Sequence, residues 1–310
     1  LAWGVLAAGV IQMLVLWPKL RHFGLFPRLR INFSHPGVRR VAKLMLPTLF
    51  SASVAQLNLV IGTIAASLLV EGSRSYLYYS DRLVELPLGL FGVALGTVIL
   101  PHLSRRHAEI DADGFSQSLD WGLRTVLLLA VPAALGLLSL AEPLAVTLYQ
   151  RGEFDAHASA MTALSLSALC PAIPAFMLTK VLAPAFYSRQ DTKTPMRAAI
   201  ITVCVNISLI ALFVTPLWKY EVVGAHAGIA LATALAGITN TTLLWRYLRR
   251  DGVWRPEPGW AWSLARIGLA AGAMVTVLLL LRQGPWHWQE LPGMWRALWL
   301  FGVIVAGATT

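Results

Sequence analysis

Runs of about 20 apolar residues recur along this chain, each long enough to cross the hydrocarbon core of a bilayer as a helix. Inside hydrocarbon every backbone N–H and C=O must be paired within the structure, so an apolar run of that length has to be helical. The strand-like alternation that a membrane barrel requires is absent. Hydrophobic residues make up 57% of the sequence and charged residues 13%, against about a quarter charged in soluble domains. These features predict an all-α polytopic membrane protein. Leu1 opens within one apolar helix and Thr310 stops inside another, so the chain reads as a fragment of a longer protein.

The predicted spans are nine: the end of one at 1–17, then 44–70, 75–106, 121–141, 158–187, 197–217, 224–245, 260–281 and a last one from 293. Alternate connections, beginning with 18–43, carry Lys19, Arg21, Arg28, Arg30, Arg39, Arg40, Lys43, Arg105, Arg106, Arg189, Lys193, Arg197, Arg246, Arg249, Arg250 and Arg255. The opposite set holds only Arg74, Arg151, Lys219 and Arg282. Cytoplasmic loops are enriched in Lys and Arg, so the basic set faces the cytoplasm. The net charge of +10 therefore reflects loops lying on anionic lipid. It does not indicate a nucleic-acid partner, which needs a basic patch on a soluble surface.

The third span departs from a plain apolar helix. From Tyr76 to Leu103 it would extend about 40 Å at roughly 1.5 Å per residue, yet it carries Asp81, Arg82 and Glu85 near its outer end. Asp81 and Glu85 are spaced i, i+4, so both acids share a face, and Arg82 reaches Glu85 at i+3. Pro87 follows, then Gly89, Gly92 and Gly96. Ionisable groups inside a span are costly and face a bundle interior or a wet cavity. Two other readings stay open. Arg82 lies roughly 9 Å from Tyr76 along the helix, so it could snorkel to the headgroups among Tyr76, Tyr78 and Tyr79, or be neutralised by Glu85 alone.

Pro87, Pro171, Pro174 and Pro184 leave carbonyls without partners inside spans. Pro87 and Pro184 are candidate hinges, with a packing-only role the alternative. The GVALG stretch from Gly92 to Gly96 fits a close helix contact, while Gln56, Asn58, Asn206 and Asn240 are expected to hydrogen-bond between helices. Cys170 and Cys204 fall in different spans, and the His residues lack ligand spacing, so neither a disulfide framework nor a metal site is expected. No Walker A loop, GxSxG or HExxH motif occurs, which disfavours an enzyme. No cofactor is expected, and a pathway through the bundle would be driven by an ion gradient, membrane potential or substrate gradient.

Two stretches carry a family resemblance. YYSDRLVELPLGLFGVALGTVILPHLSR resembles the eighth helix of the MurJ (MviN) lipid II flippase family of the MOP exporter superfamily. KVLAPAFYSRQDTKTPMRAA, residues 180–199, resembles the junction between that family's tenth and eleventh helices. The resemblance covers essentially the whole chain, whose segments match helices six to fourteen of fourteen.

It implies a MOP/MATE-like two-lobe helical bundle around a central cavity. On that mapping 1–17 ends a first-lobe span and 18–43 is the basic cytoplasmic interlobe loop. Residues 44–248 form the six-helix second lobe, and 260–310 hold two groove helices, the last truncated. The implied activity is alternating-access transfer of lipid II, the lipid-linked peptidoglycan precursor, from the inner to the outer leaflet of the bacterial inner membrane. Membrane lipids and the cell-wall synthesis and division machinery are the other implied partners. Arg82 matches a second-lobe cavity arginine and would take the diphosphate, with Asp81 and Glu85 orienting it or tuning gating. Arg189, Asp191 and Lys193 match a cytoplasmic loop that would act as a gate or brace, with a purely structural role left open.

Family members that bind sodium use acids on the seventh and eleventh helices, where this chain offers Asn58 and Asn206. The alternatives are an oligosaccharide-lipid flippase or drug/cation antiporter of the same superfamily. A membrane-embedded glycosyltransferase is less supported, because its candidate acids, Glu153 and Asp155, sit in a short loop.

Overall fold

A computed structural model describes residues 2–22, 36–219, 222–282 and 293–309. All of its secondary-structure elements among these residues are helices, and the chain divides into two compact units, Leu1–Lys43 and Leu44–Thr310. The first unit contains α1 (Ala2–His22), apolar and exposed along its length, and the opening turns of α2 (Pro36–Ser67). Helix therefore occupies both ends of the stretch 18–43 that the sequence suggested was loop. Residues 23–35, with Arg28 and Arg30, lie outside the described residues.

In the second unit Gly72 turns the chain from α2 into α3 (Ser73–Pro87). It adopts φ 91°, and a Cβ there would collide with the Tyr76 phenol, so both conformation and space require glycine. The helix then passes through a π-helical segment, Leu88–Val93, into α4 (Ala94–Ala108). Proline cannot donate to the preceding turn and crowds it. Pro87, with Gly89 and Gly92 just beyond, sits where the helix widens to the π form. Gly92 and Gly96 let α8 (Ile173–Tyr187) approach, with Lys180 lying against both.

Helix α5 (Ala112–Ser139) starts well before the predicted span at 121. Asp111 supplies the reason: its Oδ1 accepts from the Gly114 N–H at 2.8 Å, and its Oδ2 takes Arg106 Nη1 at 2.7 Å. A carboxylate at this position satisfies N–H groups that the first helical turn leaves open. A short, largely buried α6 (Ala141–Tyr149) follows, then α7 (Ala156–Leu169), capped by Asp155 at 2.7 Å from the Ala158 N–H. A 3-10 turn at Cys170–Ala172, with Pro171 inside it and Pro174 just beyond, joins α7 to α8. Helices α9 (Lys193–Lys219) and α10 (His226–Arg250) pack as a pair.

The core lies among α3, α4, α5, α7 and α8, where Leu83, Ile99, Leu119, Leu166, Met177 and Phe186 are fully buried. Two of the predicted polar contacts between helices are present: Asn206 donates to Asn58, and Thr202 donates to Asn240 at 3.3 Å.

Helix α11 (Trp260–Arg282) lies along α5 and is tied near its start to α5 and near its end to α6. At its start Asp120, 1% exposed, accepts from Arg124 Nε at 2.7 Å, Trp254 Nε1 at 3.1 Å and Trp260 Nε1 at 2.6 Å. Arg124 also donates to the carbonyls of Glu257 and Pro258, each at 3.1 Å, and to the Ser263 hydroxyl at 3.2 Å. At the far end Arg282 pairs with Glu142 at 2.5 Å. Between these ties Ile267, Ala271 and Leu278 form a narrow buried stripe on an otherwise exposed helix. Helix α12 (Gly293–Ala308) packs on α11, Gly307 resting against Leu278 and Met274.

Among the described residues seven helical segments are long and apolar enough to cross a membrane, and Gln56–Ser67 and Gly293–Ala308 are apolar but shorter.

Candidate functional site: a charged cavity beside the Asp81–Glu85 helix

A cavity of about 1050 Å³ lies within the second unit. Its walls are the later turns of α2 from Asn58 onward, the Glu71–Gly72 turn and one face of α3 as far as Leu88. Phe176 of α8 and Ile229, Ala230 and Thr233 of α10 close it. Asp81, Arg82 and Glu85 all line it. Arg82 Nη1 donates to Glu85 Oε2 at 2.6 Å, and its guanidinium lies over the Tyr78 ring, 4.8 Å from the centroid. Both members of the pair remain half open, at 53% and 59% side-chain exposure. The i, i+3 spacing is thus realised as an ion pair facing an open space. Asp81 makes no ion pair among the described residues.

The three tyrosines do not form a free belt. Tyr76 packs on His226 with ring centroids 5.2 Å apart, and Tyr79 on Tyr149 at 4.6 Å and Phe154 at 5.1 Å. They fasten the first turns of α3 to α10, α6 and the loop before α7. Tyr78 alone of the three is exposed, and it carries Arg82.

Arg74 and Glu71 line the same cavity, a role the sequence reading did not give them, because nothing in a short polar turn marks which residues face inward. Phe176, Ile229 and Thr233 were missed for a different reason: apolar and small residues of other spans carry no site signal.

Arg189, Asp191 and Lys193 are not among the cavity-lining residues; they form the turn from α8 to α9. Asp191 Oδ1 accepts from the Lys193 and Thr194 N–H groups at 3.1 and 3.0 Å, capping α9, while Arg189 N–H returns to the Phe186 carbonyl at 3.1 Å. Gln190 takes the left-handed conformation at φ 60°. The arrangement closes one helix and opens the next. Pro87 stands at the entrance to the π segment, and Pro184 lies inside α8, its carbonyl accepting from the Ser188 N–H at 2.9 Å.

A family profile described as "MurJ: Lipid II flippase MurJ" matches residues 1–292. The chain belongs to the MurJ lipid II flippase family. Among its MurJ relatives, the "Probable lipid II flippase MurJ" of Vibrio cholerae is 43% identical over 310 residues, which is 100% of this chain and 58% of the relative. The "Lipid II flippase MurJ" of Burkholderia cenocepacia is 40% identical over 304 residues, 96% of this chain and 56% of the relative. The chain thus spans somewhat more than half the length of these MurJ relatives. A solved MurJ structure, described as the inward closed conformation, superposes with a TM-score of 0.68 at 26% identity, covering 90% of this chain and 56% of that one. An outward-facing MATE multidrug transporter of the MOP superfamily matches with a TM-score of 0.60 at 19% identity, over 78% of this chain and 54% of its own, a likeness of fold. Membership in MurJ and seven membrane-length helices make this a multi-pass membrane protein with the all-α MOP/MATE-type lobe expected from its sequence.

Proposed function

We propose that the full-length protein carrying this chain is a lipid II flippase of the bacterial inner membrane. It would move the lipid-linked peptidoglycan precursor to the outer leaflet by alternating access. The observation that carries this reading is the placement of Arg82 in the cavity of a MurJ-family lobe, half open and held by Glu85. A guanidinium offers a planar fork of donors that suits the paired oxygens of a diphosphate. Glu85 fixes the fork, and an incoming diphosphate competes for it. Asp81, on the same wall, sets the local field and tunes release. The rigid turn around Asp191 braces α8 against α9, and Arg189 and Lys193 give it a cationic face at the cytoplasmic gate. Pro87 and Pro184 are where the helices flex. The cycle is a transport cycle driven by membrane potential or an ion gradient, and the cell-wall synthesis machinery takes the product.

The test is rescue of cells depleted of their own lipid II flippase by the full-length gene, with Arg82 intact or changed to Ala at equal membrane levels. Wild type is expected to rescue and Arg82→Ala to fail. Rescue by both would remove Arg82 from the substrate site, and rescue by neither would favour another substrate of the superfamily.

A further inference from the structure

Arg82 is held from two directions, and the two holds differ in kind. Glu85 takes an N–H donor in an ion pair at 2.6 Å, while the Tyr78 ring faces the guanidinium, 4.8 Å from Cζ to the ring centroid. A carboxylate occupies the donors that a diphosphate needs. A ring attracts the cation through its quadrupole and leaves the N–H donors available. Tyr78 can therefore keep its hold on Arg82 while the bond to Glu85 is exchanged for one to a phosphate oxygen.

Such a role needs a ring with a fixed place, and Tyr78 is 53% exposed on the cavity wall. An isolated tyrosine there would be free to swing. The neighbouring rings prevent this. Successive residues of a helix point about 100° apart, so Tyr78 faces the cavity while Tyr79 turns toward α6 and the loop before α7. Tyr79 stands edge-on to Tyr78, with centroids 5.5 Å apart and planes at 77°. Tyr79 is itself packed by Tyr149 at 4.6 Å and Phe154 at 5.1 Å, and the Tyr149 hydroxyl donates to the Tyr79 carbonyl at 3.4 Å. Ring pairs at these spacings attract one another beyond their burial. Phe154 is placed in turn by its own backbone: its N–H closes a turn on the Arg151 carbonyl at 3.1 Å, and Asp155 beside it caps α7. Contacts thus run unbroken from the loop 150–155 to the guanidinium.

We propose that Tyr78 is a positioning residue for Arg82, and that Tyr79, Tyr149 and Phe154 form the brace that sets its ring. The inference rests on the reading that Arg82 receives the diphosphate of the substrate. The loop 150–155 lies outside the cavity lining, yet it governs how the cavity presents its guanidinium.

Two measurements on the full-length protein at matched reconstitution test this. In proteoliposomes, Tyr78→Leu removes the ring and is expected to raise the lipid II concentration that half-saturates translocation about fivefold. Tyr78→Phe keeps the ring and is expected to stay near wild type. Phe154→Leu, outside the cavity, is expected to move half-saturation in the same direction as Tyr78→Leu. Separately, phenylglyoxal, which attacks accessible guanidinium groups, is expected to modify Arg82 several times faster in Tyr78→Leu and Phe154→Leu than in wild type, read by peptide mass spectrometry. Unchanged half-saturation and Arg82 reactivity in Tyr78→Leu overturn the proposal, even where the maximal rate falls. A Tyr78→Phe variant as impaired as Tyr78→Leu overturns it as well, and wild-type behaviour of Phe154→Leu overturns the brace. If wild type itself fails to move lipid II, the substrate reading falls, and the Arg82 modification rates still decide whether Tyr78 positions it.

Discussion

At Asp120 a fully buried carboxylate receives two indole N–H groups and a guanidinium, which would lose their acceptor without it. Breaking a buried pair by deleting one partner costs about 3–5 kcal/mol. Asp120→Ala is therefore expected to lower the thermal unfolding midpoint in detergent clearly, with a change in tryptophan fluorescence at Trp254 and Trp260. An unchanged midpoint would show that the cluster contributes nothing to stability. The sequence reading did not single out this cluster: starting the span at 121 left Asp120 outside the helix, although Asp120 and Arg124 stand at i, i+4 once α5 begins at Ala112. Trp254 and Trp260 are 134 and 140 residues away, and no local spacing announces a contact across that separation. The same logic explains the cavity. Asp81, Arg82 and Glu85 were legible because one helix presents all three, whereas Phe176 and Thr233 reach the cavity from α8 and α10 through packing alone.

Among the elements, seven of the nine expected spans are membrane-length helices among the described residues, because apolar length decides them. Those expected at 44–70 and from 293 appear there only as shorter apolar helices, and the boundary differences fall at polar ends. Helix α5 begins at Ala112 because the Asp111 cap makes a polar sequence helical, which hydropathy does not see. The π segment was legible only as proline and glycine in a long span, since composition does not say how a helix accommodates proline. Asp191→Ala removes the acceptor for two N–H groups of α9 and is expected to cost about 1 kcal/mol, visible as faster amide exchange in the first turn of that helix. Pro87→Ala restores a backbone donor at the entrance to the π segment. Thermal stability is expected to hold or rise while lipid II translocation slows severalfold. Unimpaired transport would strike Pro87 from the hinge positions.

For the whole molecule, the sequence led to a lobe plus two further helices through family resemblance, and the structure adds how α11 is held within the Leu44–Thr310 unit. Ties at both ends hold α11: Asp120 and Arg124 of α5 bind the segment around Trp260, and Arg282 donates to the Ser139 carbonyl at the end of α5 and pairs with Glu142 of α6. Spin labels on exposed positions of α5 and α11 are expected to keep one distance through the transport cycle, and a distance that changes with state would show that α11 moves independently. The central claim is that Arg82 contacts the travelling diphosphate from the wall of this lobe. It is tested most directly by following fluorescent lipid II across proteoliposomes containing full-length protein at matched reconstitution, comparing wild type, Arg82→Lys and Arg82→Ala. The account predicts transport by wild type, a partial rate for Arg82→Lys, and a loss of about tenfold or more for Arg82→Ala. Wild-type rates in Arg82→Ala would contradict it.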